Sequence, residues 1–269
     1  MILGEQDIVS DLSAAGIKPG DGVFVHTALG QVGHVIGGPR GLIQALTNTV
    51  GPDGLIGMPG FSEDAYDPVE RLELDVDQDA HEHIRRQVPG FDPVCSDVRK
   101  NGAVPEAFRC WPGVVRSPHP TSSVLLWGGD AETLSQPHDP YGWATGPETP
   151  WGQLRNRPNM KILLIGVGWN RCSALHAAES AAEYKRTVVR TFKLGTGPDA
   201  PWIEAPDVAD DLGRLFPAVG AAWEETGNVR TGNVGDADIK LTGYDRLVEF
   251  ASNWMSEKNK ADGVKISRG

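Results

Sequence analysis

Short, almost wholly apolar runs separated by turn residues and helical stretches restrict this chain to one kind of architecture. Pro19-Gly20 turns the chain into GVFVHTAL, which reads as a strand over 22–26, and GPDG at 51–54 turns it into the second short run, LIGMP. Between them PRGLIQALTNTV carries Leu42, Ala45, Leu46, Thr49 and Val50 at helical spacing, with Pro39 suited to the first turn. Strands this short and this apolar must be covered on both faces, and the intervening helices are the covering material.

The alternation continues to the end of the chain. Residues 5–14 read as a helix that Gly16 ends, and further helices are expected near 104–110, 130–135, 207–226 and 244–256. Strands are expected at 122–127, 161–166, 186–194 and 234–241. This order implies a single-domain α/β sandwich over 1–258, with a mixed central sheet flanked by helices and ligands bound beyond the strand ends. Residues 259–269 are polar and aperiodic and are expected to form a flexible tail. One stretch breaks the pattern. Residues 60–101 are rich in Asp, Glu, Pro and Gly with little periodicity, and are expected to be a long acidic loop over a site.

Composition narrows the function classes. The 269 residues are 39% apolar and 23% charged, with 25 Lys and Arg against 36 Asp and Glu, a formal charge of −11. That charge disfavours nucleic acid and anionic lipid as partners and suits a cationic ligand. No apolar run approaches the roughly 18 residues of a membrane helix. The start MILGEQDIVSDL lacks the basic and then apolar pattern of a signal peptide, and Cys95, Cys110 and Cys172 are too scattered for a disulfide framework or a zinc knuckle. A cytoplasmic protein, monomeric or homodimeric, is expected.

The chemistry begins with CSALHAAES at 172–180. On a helix, His176 and Glu179 lie about 60° apart on one face, close enough to touch, and a carboxylate that holds an imidazole prepares it to accept a proton near neutral pH. HxxE also occurs on plain solvated helices. His81 and His83 form an HxH pair, but no further ligand pattern accompanies them, so no metal is expected. There is no Walker-type glycine loop and no GxGxxG, so any phosphates must be held by scattered donors.

In order along the chain, VHTALGQVGHVIGG (25–38), FSEDAYDP (61–68), PEAFR (105–109), RSPHPTSSV (116–124), LLIGVG (163–168) and LHAAES (175–180) resemble the aminoglycoside 3-N-acetyltransferases over about residues 7–256. The resemblance implies acetyl transfer from acetyl-CoA to the 3-amino group of a cationic aminoglycoside, on a fold unrelated to the commoner acetyltransferase superfamily. It makes His176 the base and Glu179 its orienting partner. It places His26, Thr27, Leu29, Gln31, Val32 and Gly33 along the coenzyme, Arg116 and Ser117 at a coenzyme phosphate, and Glu63, Asp64 and Asp207 at the substrate, with Asp67, Glu204, Asp210 and Asp211 as further carboxylates. His119 is open to a catalytic or a structural role, and Trp143, Trp151, Trp169 and Trp202 fall near loops as candidate cleft walls. The acidic loop has its own sequence, so the antibiotic accepted does not carry over. Three other readings stay open: the same chemistry on another small amine such as an aminophosphonate, a metal-dependent hydrolase built on His176 and Glu179, and a protein that binds cationic antibiotics without turnover.

Overall fold

The computed structural model describes residues 1–209 and 213–266. Among them the strands are β1 (Ile2–Leu3), β2 (Gly22–Thr27), β3 (His34–Val35), β4 (Leu55–Pro59), β5 (Val115–Arg116), β6 (Val124–Gly128), β7 (Met160–Ile165), β8 (Thr187–Lys193), β9 (Trp202–Val208), β10 (Arg230–Val234) and β11 (Ala237–Gly243). The helices are α1 (Glu5–Ala15), α2 (Leu29–Val32), α3 (Pro39–Val50), α4 (Pro68–Arg71), α5 (Gln78–Gln87), α6 (Ala103–Arg109), α7 (Ala131–Leu134), α8 (Pro150–Gln153), α9 (Leu175–Ala181), α10 (Phe216–Glu225) and α11 (Tyr244–Ala261).

The central sheet has the order β10-β11-β7-β2-β4-β6-β5. Its middle strands β7, β2 and β4 run parallel, and β11 and β6 add antiparallel on either side, so the sheet is mixed. The two-residue period of a strand divides it into two cores. Val23, Val25, Ile56, Leu163 and Ile165 pack against α1, α3 and α6, whereas Phe24, Leu55, Ile162 and Leu164 pack against α8, α9, α10 and α11. A three-layer α/β sandwich results, as the buried strands required. Gly16 ends α1 in a left-handed conformation at φ 102°, the role that glycine plays there. Among the described residues no helix is long and apolar enough to cross a membrane.

Four expectations need correction. The region 60–101 is not one loop: Asp67 caps α4 by accepting the Val69 N–H at 2.9 Å, and Asp77 caps α5 by accepting the Ala80 N–H at 2.8 Å. α5 buries none of its residues fully, so its sequence shows no strong apolar stripe. Residues 207–209 are not helical; Asp207 lies in β9, which pairs with β8 as a separate two-stranded ribbon, and the helix starts only at Phe216. Residues 234–241 are not one strand: Val234 ends β10, the chain turns at Gly235 with φ 57°, and β11 begins at Ala237. Finally, α11 continues through Asn259–Ala261, where a tail was expected, because Asn259 is buried and donates to the Tyr184 carbonyl at 2.9 Å.

Candidate active site

Because β2, β4 and β7 are parallel, they end side by side at Thr27, Pro59 and Ile165, and the segments leaving those ends converge. From β7 the chain passes through a turn to α9, which carries His176. From β4 it passes to Phe61, Ser62 and Glu63. On β2, alternation puts His26 on the same face as Phe24, the face that α9 covers; the two rings are 5.3 Å apart.

His176 Nδ1 and Glu179 Oε2 are 2.8 Å apart, one helical turn apart as the spacing predicted. The pair is mostly sheltered, with 23% and 12% of the side chains exposed. An ionised carboxylate only accepts, so in the neutral imidazole this contact puts the proton on Nδ1 and leaves the lone pair on Nε2. Phe61 and Phe216 meet the imidazole edge-on at 6.0 and 4.9 Å, and Thr145 Oγ1 donates to the His176 carbonyl at 3.1 Å. The ring opens onto a cleft of about 310 Å³ whose lining includes Phe61, Glu63, Tyr66, Arg71, Ser122, Arg190 and Asp207.

Beneath this cleft, His26 Nε2 and Thr27 Oγ1 are buried and meet no hydrogen-bond partner among the described residues. An orphaned buried polar atom costs about 1–3 kcal/mol, so two of them at one strand end mark a place where a ligand's polar groups belong. Burial, and then the His176 imidazole, push the His26 ring down to about 3, so it is neutral at any physiological pH. A neutral imidazole nitrogen and a hydroxyl can each bond a carbonyl or an amide group of a ligand.

The rest of the expected coenzyme segment divides. Gln31 is exposed and Leu29 half-buried on α2. Val32 is fully buried, and its carbonyl accepts the Asp236 N–H at 3.0 Å, so it belongs to the core and not to a coenzyme surface. Gly33 lies against the same turn, where an added Cβ would sit 2.8 Å from Asp236 Oδ2. Its φ of 102° explains the glycine without a ligand.

Arg116 and Ser117 do not present themselves to a phosphate. The Arg116 guanidinium, over the Phe91 ring at 4.8 Å, donates to Ser123 Oγ at 2.8 Å, Ser96 O at 2.6 Å and Gly60 O at 2.8 Å. It clamps three segments around the cleft and, although burial first and the Arg109 charge second lower it to about 10, stays charged. Ser117 is fully buried between His138 Nδ1 at 2.9 Å and the Val124 N–H, which it accepts at 2.8 Å. His119 is buried too: its Nδ1 accepts the N–H groups of Thr121 at 3.3 Å and Ser122 at 3.1 Å, which shapes the turn that forms one cleft wall.

Of the expected substrate carboxylates, Glu63 and Asp207 reach the cleft and Asp64 is outside its lining. Asp67 is buried beneath α4, held by His81 Nε2 at 2.7 Å and Arg85 Nε at 2.6 Å, and Glu204 is exposed on β9. Asp210 and Asp211 lie outside the described residues. Asp67, Glu70 and His81 bring ligand atoms within 4.8 Å of one another, but Arg85 donates to both carboxylates and already supplies the positive charge there. The four tryptophans stay out of the lining; Trp151 is core, stacked behind Phe61 at 5.2 Å. Arg71, Arg190, Tyr66 and Thr145 escaped the sequence reading, since nothing local distinguishes them from solvated or structural residues.

The model of the aminoglycoside 3-N-acetyltransferase family matches residues 24–256. The chain is 32% identical over 252 residues to the SPbeta prophage-derived aminoglycoside N(3′)-acetyltransferase-like protein YokD of Bacillus subtilis, covering 93% of this chain and 92% of that one. It is 33% identical over 267 residues to aminoglycoside N(3)-acetyltransferase VIII of Streptomyces fradiae, covering 93% and 91%. The crystal structure of YokD superposes with a TM-score of 0.89 at 30% identity over 97% and 96% of the two chains. The AAC-IIIb complex with CoASH superposes at 0.84 and 27% identity over 96% and 98%.

Proposed function

Because the chain belongs to the aminoglycoside 3-N-acetyltransferase family, we propose that it transfers an acetyl group from acetyl-CoA to the 3-amino group of an aminoglycoside, in the cytoplasm and to the effect of antibiotic resistance. The observation that carries the mechanism is the His176–Glu179 contact at the mouth of the cleft.

An alkylammonium is no nucleophile until it loses a proton. His176 Nε2 accepts that proton while Glu179 holds the ring and stabilises the imidazolium that forms, an arrangement worth about 10² to 10⁴ in rate. Acetyl-CoA, when bound, would supply the acyl thioester: the freed amine bonds to its carbonyl carbon as the carbon–sulfur bond breaks, and the coenzyme leaves as the thiolate, which takes up the proton held on His176 Nε2. Thr27 Oγ1 and His26 Nε2 are the residues suited to hold that co-substrate, because both lack a partner at the β2 end. Phe61 and Phe216 pack against the imidazole, and Trp151 backs Phe61, which holds the ring in place. A metal has no part in this scheme. The test is release of coenzyme A thiol from acetyl-CoA with gentamicin-like, apramycin-like and kanamycin-like acceptors, abolished in His176→Ala. No release with any of them sinks the proposal.

A further inference from the structure

The cleft beside His176 was expected to present carboxylates to a cation, and among the described residues its lining carries as many guanidiniums as carboxylates. Glu63 and Asp207 line it, and so do Arg71 and Arg190. Arg71 forks onto Glu63, with Nε 2.7 Å from Oε2 and the terminal nitrogen 2.8 Å from Oε1, while its guanidinium lies 4.3 Å from the centre of the Tyr66 ring. Lys100 approaches the same carboxylate at 3.3 Å. Arg190 donates from Nε to Asp207 Oδ2 at 2.8 Å and from Nη2 to the Val208 carbonyl at 3.3 Å. Among the described residues of its lining, two guanidiniums stand against two carboxylates, in a chain of net charge −11.

The balance is built into the fold. In the β8–β9 ribbon Arg190 stands opposite Ala205 and Val188 opposite Asp207, so Arg190 and Asp207 are diagonal neighbours on one face, within reach of a long side chain. Glu63 and Arg71 face each other because α4 folds the chain back between them. Burial by itself raises the Glu63 carboxyl; hydrogen bonds and charge from Arg71 and Lys100 outweigh it and hold the group below its usual range. Each carboxylate already has a guanidinium against it. An incoming ammonium must compete with a guanidinium for each.

We propose that Arg71 and Arg190 are the specificity-determining residues of the acceptor cleft: by pairing with Glu63 and Asp207 they make it favour aminoglycosides with fewer positive charges over those with more. This rests on the reading of the cleft as the amine-binding side of the site. Each partly exposed pair is worth up to about 1 kcal/mol, so releasing one carboxylate gains about fivefold in affinity for a polyamine.

The test uses Arg71→Gln and Arg190→Gln, singly and combined, with Arg190→Lys as the charge-conserving control and circular dichroism to establish folding. Kanamycin and neomycin, which differ in their number of amino groups, are titrated calorimetrically into each protein and assayed by thiol release. Each Gln variant is expected to lower Kd and KM about fivefold, more for neomycin than for kanamycin, with the change in KM rather than kcat. Salt at 0.5 M should erase much of the gain, through screening, and Arg190→Lys should bind like the parent. Unchanged or weakened binding in both folded Gln variants overturns the proposal. Tighter binding in the variants with no thiol release from any protein upholds it and sinks the acetyl-transfer reading, whereas release without any gain in affinity does the reverse.

Discussion

Lowering the pH from 7 to 5 should cost this protein about 4 kcal/mol of folding stability through two histidines that the proposed reaction does not use as bases. His26 and His138 are 5% and 3% exposed. Burial first, and the His176 charge second, push His26 to about 3; burial pushes His138 to about 4 against the opposing pull of the Ala144 carbonyl, which accepts from its Nε2 at 2.8 Å. Both folded values lie below the ordinary 6.5, so the unfolded chain takes up protons first and stability falls as the pH drops from about 6.5 towards 4 and 3. At pH 5 each buried neutral ring forgoes about 2 kcal/mol relative to the unfolded chain. His119, lowered in the same direction by burial and then by His138, adds to the effect. The carboxylates Glu63, Asp67 and Glu106 are held below their ordinary ranges by their partners, so the stability they contribute is lost mainly below pH 5. Urea unfolding at pH 7 and pH 5 measures the difference. For a chain of this size 4 kcal/mol is about 10 °C in melting temperature. His138→Gln should remove about half of the pH dependence. A loss below about 1 kcal/mol between the two pH values refutes the assignment of buried, neutral imidazoles.

Three further outcomes follow from particular contacts. Glu179→Gln should lower kcat about tenfold or more with little change in KM, because an amide does not stabilise the imidazolium; rates comparable to the parent would remove Glu179 from the mechanism. Trp151→Ala deletes a fully buried indole that stacks on Phe61 and donates to the Ser122 carbonyl at 2.7 Å, and should destabilise the fold by about 3–5 kcal/mol in denaturant titration. Gly166 has φ 63°, and a Cβ there would lie 2.6 Å from Gln31 Cβ, so Gly166→Ala should displace α2 and raise the KM for acetyl-CoA more than that for the amine.

The sequence determined what depends on neighbours along the chain. Apolar runs bounded by Gly and Pro become the parallel strands β2, β4 and β7, the Leu42–Val50 periodicity becomes α3, and a three-residue spacing on a helix brings Glu179 to His176. Period-two alternation also makes His26 face Phe24's side of the sheet once that side is known to carry α9. Only the tertiary structure decided where charges and buried polar groups end. Asp207 pairs with Arg190 because two strands fold into a ribbon, Arg116 joins Gly60 to Ser96 and Ser123 because three segments meet, and Val32 is core because the β10–β11 turn closes over it. The physical reason is one of range. Helix and strand periodicities are written in residues a few positions apart, whereas the charge of a cleft is a sum over groups brought together from distant parts of the chain.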